Sequence, residues 1–226
     1  LRGGETGEAR PDREPCEVGG LDRDSGRDAL LAPLRRQDPP DEPGPAITAA
    51  GARLQRSGEL PVAGMGRSAL DQSIAQALRA ARRWQVWRAR GPAPEPPQEL
   101  RLSRDVDDQP FVIEDWSADL YRLADGERLR LVLKAGDTLK AGHPHYPRLL
   151  SDWVQHLALK AAGFNARSVI IAHDATHSRP AMPCGSAAGP LDDILRGWRA
   201  GLERPLPLPV RTVFALLGQA PDKPIN

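Results

Sequence analysis

The strongest constraint in the sequence is the run Leu149–Gly163, LLSDWVQHLALKAAG. Its apolar residues Leu149, Leu150, Trp153, Val154, Leu157 and Ala161 recur at three-and-four spacing, which predicts an amphipathic helix with one buried face. Ser151, Asp152, Gln155 and Lys160 are left for water in this reading, and Gly163 supplies the stop. Such a helix needs neighbours to cover its apolar stripe, and the flanking sequence offers them.

Upstream, Ser68 with Asp71 fits an N-terminal cap for a helix running to about Arg88, with Leu70, Ile74, Ala77, Leu78, Ala81 and Trp84 as its stripe. Gly91 to Glu99 is a stiff proline-rich connector. Three strands are expected next: Leu100 to Ser103, Phe111 to Leu123 with a break near Trp116, and Arg128 to Lys134. Ala124-Asp125-Gly126 marks a hairpin between the last two, because Asp-Gly accepts the positive φ of a tight turn. Downstream, Ser168 to Ala172 reads as an interior strand. Pro190 to Leu202 reads as a helix with Leu191, Ile194, Leu195, Trp198 and Leu202 on one side, and Val210 to Leu217 as a last short helix.

The order is therefore helix, three-strand meander, helix, strand, helix, an α/β class. With 226 residues and 40% hydrophobic content the chain can bury one real core. Residues 1–57 are dense in Gly, Pro, Asp, Glu and Arg, with only the LLAPL patch at Leu30 to Leu34 as a candidate helical turn or docking segment. This composition predicts a disordered or extended arm or interdomain linker, ahead of a folded region 58–217 and a polar tail 218–226. A chain opening on Leu1 is expected to be an excerpt of a longer one.

A formal net charge of +1 gives no whole-chain argument for nucleic acid. The local exception is the end of the first long helix, where Arg79, Arg82, Arg83, Arg88 and Arg90 interleave with Trp84 and Trp87. Arginines suit a helix C-terminus through its dipole alone; they also suit phosphates or a protein partner, with tryptophan and arginine stacking on bases. Gly64 and Gly66 lie before that helix, yet no strand precedes them and no Lys-Ser/Thr pair follows, so a nucleotide loop is not supported. The two cysteines, Cys16 and Cys184, read as free thiols, and no apolar run approaches a membrane span, so a soluble, cytoplasmic protein is expected.

One rival chemistry follows from residue types. His143-x-His145 and His173-x-x-x-His177 have spacings used at zinc sites, with Asp174 able to add an oxygen, which would make a metal-assisted hydrolase. His156 in the central helix reads as a packing histidine bonded to a backbone carbonyl, and Trp153 and Trp198 as core anchors. Nothing beside Cys184 equips it as a nucleophile.

The predicted αβββαβ order resembles the core of PD-(D/E)xK nucleases. The segments GELPVAGMG, LLSDWVQHLALKAAG and LDDILRGWRAGLERPLPLP, and within them Trp153-x-x-His156-Leu157 and Trp198-Arg199-Ala200-Gly201-Leu202, resemble the C-terminal region of the RecC family, the gamma subunit of exodeoxyribonuclease V. The resemblance spans about Gly58 to Leu217. It implies a nuclease-like fold without catalysis of its own, in the RecBCD helicase-nuclease that processes double-strand ends for recombination. The implied partners are RecB and RecD, duplex DNA ends and the separated single strands, with a part in reading Chi. Mg²⁺ and ATP would be used by the partner subunits, with no cofactor in this chain.

An active nuclease of this type needs one acidic residue on a strand and an Asp/Glu-x-Lys on the next, so that two carboxylates hold Mg²⁺ while lysine steadies the attacking water. Aligning the hairpin arms gives Asp119 the first position, and Val132 and Lys134 the second motif. Valine cannot ligate a hard cation, so these are vestigial positions, with no catalytic residue and no metal ligand expected. An active Mg²⁺-dependent nuclease, with Glu114 or Asp115 as a substitute ligand, is the remaining alternative beside the histidine site.

Overall fold

The computed structural model describes residues 20–35, 41–57, 63–181 and 188–204. Helices α1 (Gly20–Leu31), α2 (Pro43–Arg56) and α3 (Ala63–Arg88), with a short 3-10 turn at Ala32–Arg35, precede the strands. A five-stranded mixed sheet is built from β1 (Ala93–Pro94), β4 (Leu120–Arg122), β5 (Arg128–Leu133), β8 (Ala166–Ile171) and β9 (Thr176–Arg179), in that spatial order. A separate ribbon pairs β2 (Gln98–Val106) with β3 (Gln109–Ser117), and β6 (Leu139–Lys140) with β7 (His143–Pro144) forms a small hairpin. Helix α4 (Tyr146–Ala161) connects β5 to its parallel neighbour β8, and α5 (Ala188–Glu203) follows.

The sheet separates two cores. Leu129, Leu131 and Leu133 of β5 and Val169 and Ile171 of β8 face α1–α3, meeting Leu30, Leu31, Leu34, Ile47, Ala77, Ala81 and Trp84. Their strand neighbours alternate to the other face, where α4 lies. There Leu120 and Ala166 pack on Leu159, and the inner side of the ribbon, Leu102 and Val106, packs on Leu191 and Leu195 of α5.

The N-terminal part departs from the extended arm expected over 1–57. Within it, 20–35 and 43–56 are helical or 3-10, and Leu30, Leu31, Leu34 and Ile47 are 0–2% exposed. The apolar residues are few but correctly spaced: Pro43, Ile47, Gly51 and Leu54 form the buried stripe of α2. Gly51 lets α2 sit close to α3: a Cβ there would stand 2.8 Å from Cδ1 of Ile74 and push that side chain aside. Residues 1–19 of the expected arm, the expected helix Val210–Leu217, both cysteines and the tail 218–226 lie outside the described residues.

The meander is also rearranged. Asp107 and Asp108, at φ 52° and 58°, make a two-residue turn that joins β2 to β3 as a hairpin of its own. The chain breaks at Ala118–Asp119 before re-entering the sheet as β4, close to the break expected near Trp116. The β4–β5 hairpin turns at Gly126 (φ 86°), as its Asp-Gly pair implies. Helix α3 starts at Ala63, so Gly64 and Gly66 are helical and form no loop.

Helix α4 exists where its periodicity places it, but its buried side is turned. Asp152, His156, Leu159 and Lys160 are 2–5% exposed, whereas Trp153 and Val154 are only half-buried. The expectation that Asp152 and Lys160 face water is therefore corrected: Asp152 lies in ion pairs with Lys134 and Arg130, and Lys160 donates to Asn165. Trp198 and Leu202 are likewise not core anchors, being 57% and 68% exposed where α5 runs past the ribbon.

Candidate functional site

Val132 at the end of β5 and Lys134 just after it are the residues that the alignment of the hairpin arms sets against the second motif of a metal nuclease. Register pairs Leu120 with Arg130, and the Leu131 amide donates to the Asp119 carbonyl (3.0 Å), so Asp119 stands opposite Leu131. Cross-strand partners share a face, which assigns Asp119 to the side covered by α1–α3 and Val132 and Lys134 to the side covered by α4. The hairpin does not bring the first acidic position and the second motif onto one face.

Each of these side chains has other company. Lys134 Nζ lies 2.6 Å from Oδ2 of Asp152 and donates to the Arg148 carbonyl. Arg130, 4% exposed, lies 3.9 Å from the same carboxylate and donates to Gln155. Burial lowers the Arg130 pKa, opposed by Asp152 and Asp119. Burial raises the Asp119 carboxyl, opposed by Arg130 and by Arg35 from the 3-10 turn. Arg35 also makes a two-pronged pair with Asp28 and donates to the Leu133 carbonyl. Val132, Lys134, Arg35, Asp28, Asp137 and Arg148 line an open cleft of about 850 Å³ at this strand end. Around Asp119 the compensating charges are guanidinium groups, and Val132 adds no donor.

Next to this layer, His156 Nδ1 and Ser168 Oγ are 2.8 Å apart, both fully buried. The ring is thus a packing histidine bonded to a hydroxyl rather than to the expected carbonyl. Burial, with Lys160, Arg130 and Arg179 nearby, lowers its pKa to about 4, so it is neutral at ordinary pH. Lys160 donates to Asn165.

The basic end of α3 splits in two. Arg79 and Arg82 are exposed, and no carboxylate among the described residues pairs with either. Arg83 instead donates to the carbonyls of Ala172, His173 and Asp174, tying α3 to the β8–β9 turn. Trp87 and Arg88 are half-buried, and the Arg90 guanidinium stacks 4.8 Å over the Trp87 ring.

The histidines do not converge. His173 Nε2 faces Asp137 (3.3 Å) and His177 Nε2 meets Thr138 Oγ1 (2.9 Å). Burial works against the Asp174 carboxylate, but the amides of Leu139 and Thr138 and the Thr138 hydroxyl donate to it and hold its pKa below the usual range. It caps the turn before β6. His143 lies on β7 and His145 stands at the N-cap position of α4 without a side-chain capping bond, and among the described residues no three His, Cys, Asp or Glu side chains gather as a metal set. Glu114 pairs with Arg101 (3.3 Å) on the outer face of the ribbon, away from β5.

Sequence reasoning missed Asp152, Arg130 and Arg35. The signal available was weak: a charged residue in phase with the buried side of a helix, and an arginine inside an alternating strand.

The sequence model of one family, described as the RecC C-terminal domain, matches residues 1–221. No curated protein matches the chain. The family match takes in the N-terminal helices, which the motif resemblance from Gly58 onward left out.

Proposed function

The chain belongs to the RecC C-terminal domain family, and from that premise we propose that it is a non-catalytic part of the RecBCD helicase-nuclease that binds DNA and scaffolds RecB and RecD. Membership implies a role as a subunit of exodeoxyribonuclease V in DNA repair. In this reading the second ligand position falls on Val132, and the observation that supports the loss of cleavage is that Lys134 is tied to Asp152 at 2.6 Å. A catalytic lysine must be free to steady water beside a metal-bound phosphate, and a buried carboxylate holds this one back.

The nuclease-like descent is carried by β4, β5, α4 and β8, an antiparallel hairpin followed by a helical crossover to a parallel strand. In this reading Mg²⁺ and ATP serve the motor subunits, and the complex works in the cytoplasm; no helix among the described residues is long and apolar enough to cross a membrane. Arg79 and Arg82 are the cations positioned to meet DNA phosphates or a partner subunit, with Trp87 and Arg88 beside them. Arg83 supports the same surface by holding α3 to the sheet.

The test is co-purification of the full-length protein with its two helicase subunits, followed by binding of the assembly to blunt duplex ends. Assembly and salt-sensitive end binding, both weakened by Arg79→Ala with Arg82→Ala, are expected. A protein that joins neither subunit overturns the proposal.

A further inference from the structure

A second cavity, of about 310 Å³, lies on the α4 side of the sheet between the start of α4 and strands β8 and β9. That volume is at the low end of what ligand pockets occupy, about 300–1,000 Å³. Ile170 and Leu149 make an apolar floor, Trp153 and Tyr146 add two aromatic side chains, and His177 and Arg179 stand at the β9 side. Register explains the placement: Arg179 pairs with Ser168 and His177 with Ile170, and cross-strand partners share the face that α4 covers. β9 ends the strand order, so the cavity opens along a sheet edge rather than into the interior.

The charges around it are unequal in kind. Asp152 reaches the cavity wall, but Lys134 and Arg130 hold its carboxylate. Arg179 is exposed, and no carboxylate among the described residues pairs with it. A small cavity lined by two aromatic side chains, with a guanidinium on its β9 side that no described carboxylate pairs, matches a flat base joined to a phosphate. We infer that this cavity takes a single unpaired nucleotide, its base against Trp153 and Tyr146 and its phosphate on Arg179. A duplex cannot present a base this way without unstacking it, so the ligand is single-stranded DNA or a free nucleotide. The choice of a DNA strand rests on the proposed role in a complex that separates strands.

The test uses the full-length protein assembled with its helicase subunits. A short oligo-dT carrying 5-iodouracil is photo-crosslinked and the attachment mapped by mass spectrometry. Crosslinking within Tyr146–Trp153 is expected, falling roughly 5-fold to 100-fold with Arg179→Ala or with Trp153→Leu, the range that loss of one stacked or phosphate-anchored nucleotide represents. Arg179→Ala lies on an exposed strand and keeps the test valid should Trp153→Leu fold poorly. Unlabelled oligo-dT competing far better than dTMP assigns the site to a strand. Equal competition keeps the nucleotide site and overturns its assignment to DNA. Crosslinks confined to other segments, or a yield that Arg179→Ala leaves unchanged, overturn the site. Subunit assembly, measured on the same samples, is expected to be unaffected by Arg179→Ala, so failure here is distinguishable from failure of the scaffolding role.

Discussion

Removing the Asp152 carboxylate should cost far more than its position on a polar-looking stretch of helix suggests. Asp152 and Arg130 are each 4% exposed, and Asp152 also receives Lys134 at 2.6 Å. Asp152→Ala leaves the Arg130 guanidinium buried with the Gln155 side chain and the more distant Asp119 for company. Breaking a buried pair by deleting one partner costs about 3–5 kcal/mol, against roughly 0–1 kcal/mol for an exposed pair. For a domain of this size that loss lowers Tm by roughly 6–20 °C. Urea unfolding of the purified chain measures it as a drop in midpoint at unchanged slope. The paired replacement Arg130→Met with Asp152→Leu removes both charges and should recover most of the loss, because neither charge is then left unpaired. A cost below about 1 kcal/mol for Asp152→Ala, or a double variant as damaged as the single, would show that no buried ionic layer exists here.

Three further outcomes follow from the same structure. Because the His156 pKa is lowered to about 4 from an ordinary 6.5, the folded state favours the neutral ring; its contribution is complete above about pH 6.5 and is lost as pH falls toward 4, up to roughly 3 kcal/mol. His156→Phe should flatten the stability–pH curve in that window, measured by urea midpoints at stepped pH. Leu30→Ala and Ile47→Ala, both at fully buried positions of the N-terminal helices, should each destabilise by about 2–5 kcal/mol, whereas residues of a loose arm would change stability by less than about 0.5 kcal/mol. Arg79→Ala with Arg82→Ala should reduce the salt dependence of duplex binding by up to about 0.9 per lost phosphate contact at unchanged Tm, while Arg83→Ala should lower Tm by releasing three carbonyls.

Periodicity was a sound guide wherever an apolar stripe was long. It located α4 and α5, the strand β8 and the Asp-Gly hairpin of β4 and β5. It failed at Asp152 and Lys160, because a hydropathy pattern counts every charged side chain as facing water and cannot see Arg130 and Lys134 paired with the first, or Asn165 accepting from the second, inside the fold. The N-terminal helices were hidden by composition: a Pro- and Gly-rich segment averages out as unstructured, while four residues at Pro43, Ile47, Gly51 and Leu54 suffice to dock a helix. The hairpin at Asp107–Asp108 was missed because two aspartates in the left-handed region lack the glycine that usually advertises such a turn.

Of the candidate site, Val132 and Lys134 were placed on one strand by the sequence, and their surroundings were not legible. That Asp119 falls on the opposite face from Val132 follows only from a register the sequence does not display. The guanidinium of Arg35 reaches the same strand end from a segment expected to lie outside the fold. Arg83 shows the reverse: a residue placed by spacing in a basic patch is engaged by the backbone carbonyls of Ala172, His173 and Asp174 in the turn after β8.

The most direct measurement is cleavage of supercoiled plasmid by the purified full-length protein, without its partner subunits, in Mg²⁺. The expected result is no nicking above that of the Asp119→Ala variant, with Val132→Glu also inactive while Lys134 remains paired to Asp152. Mg²⁺-dependent nicking by the wild-type protein that Asp119→Ala abolishes would contradict the account.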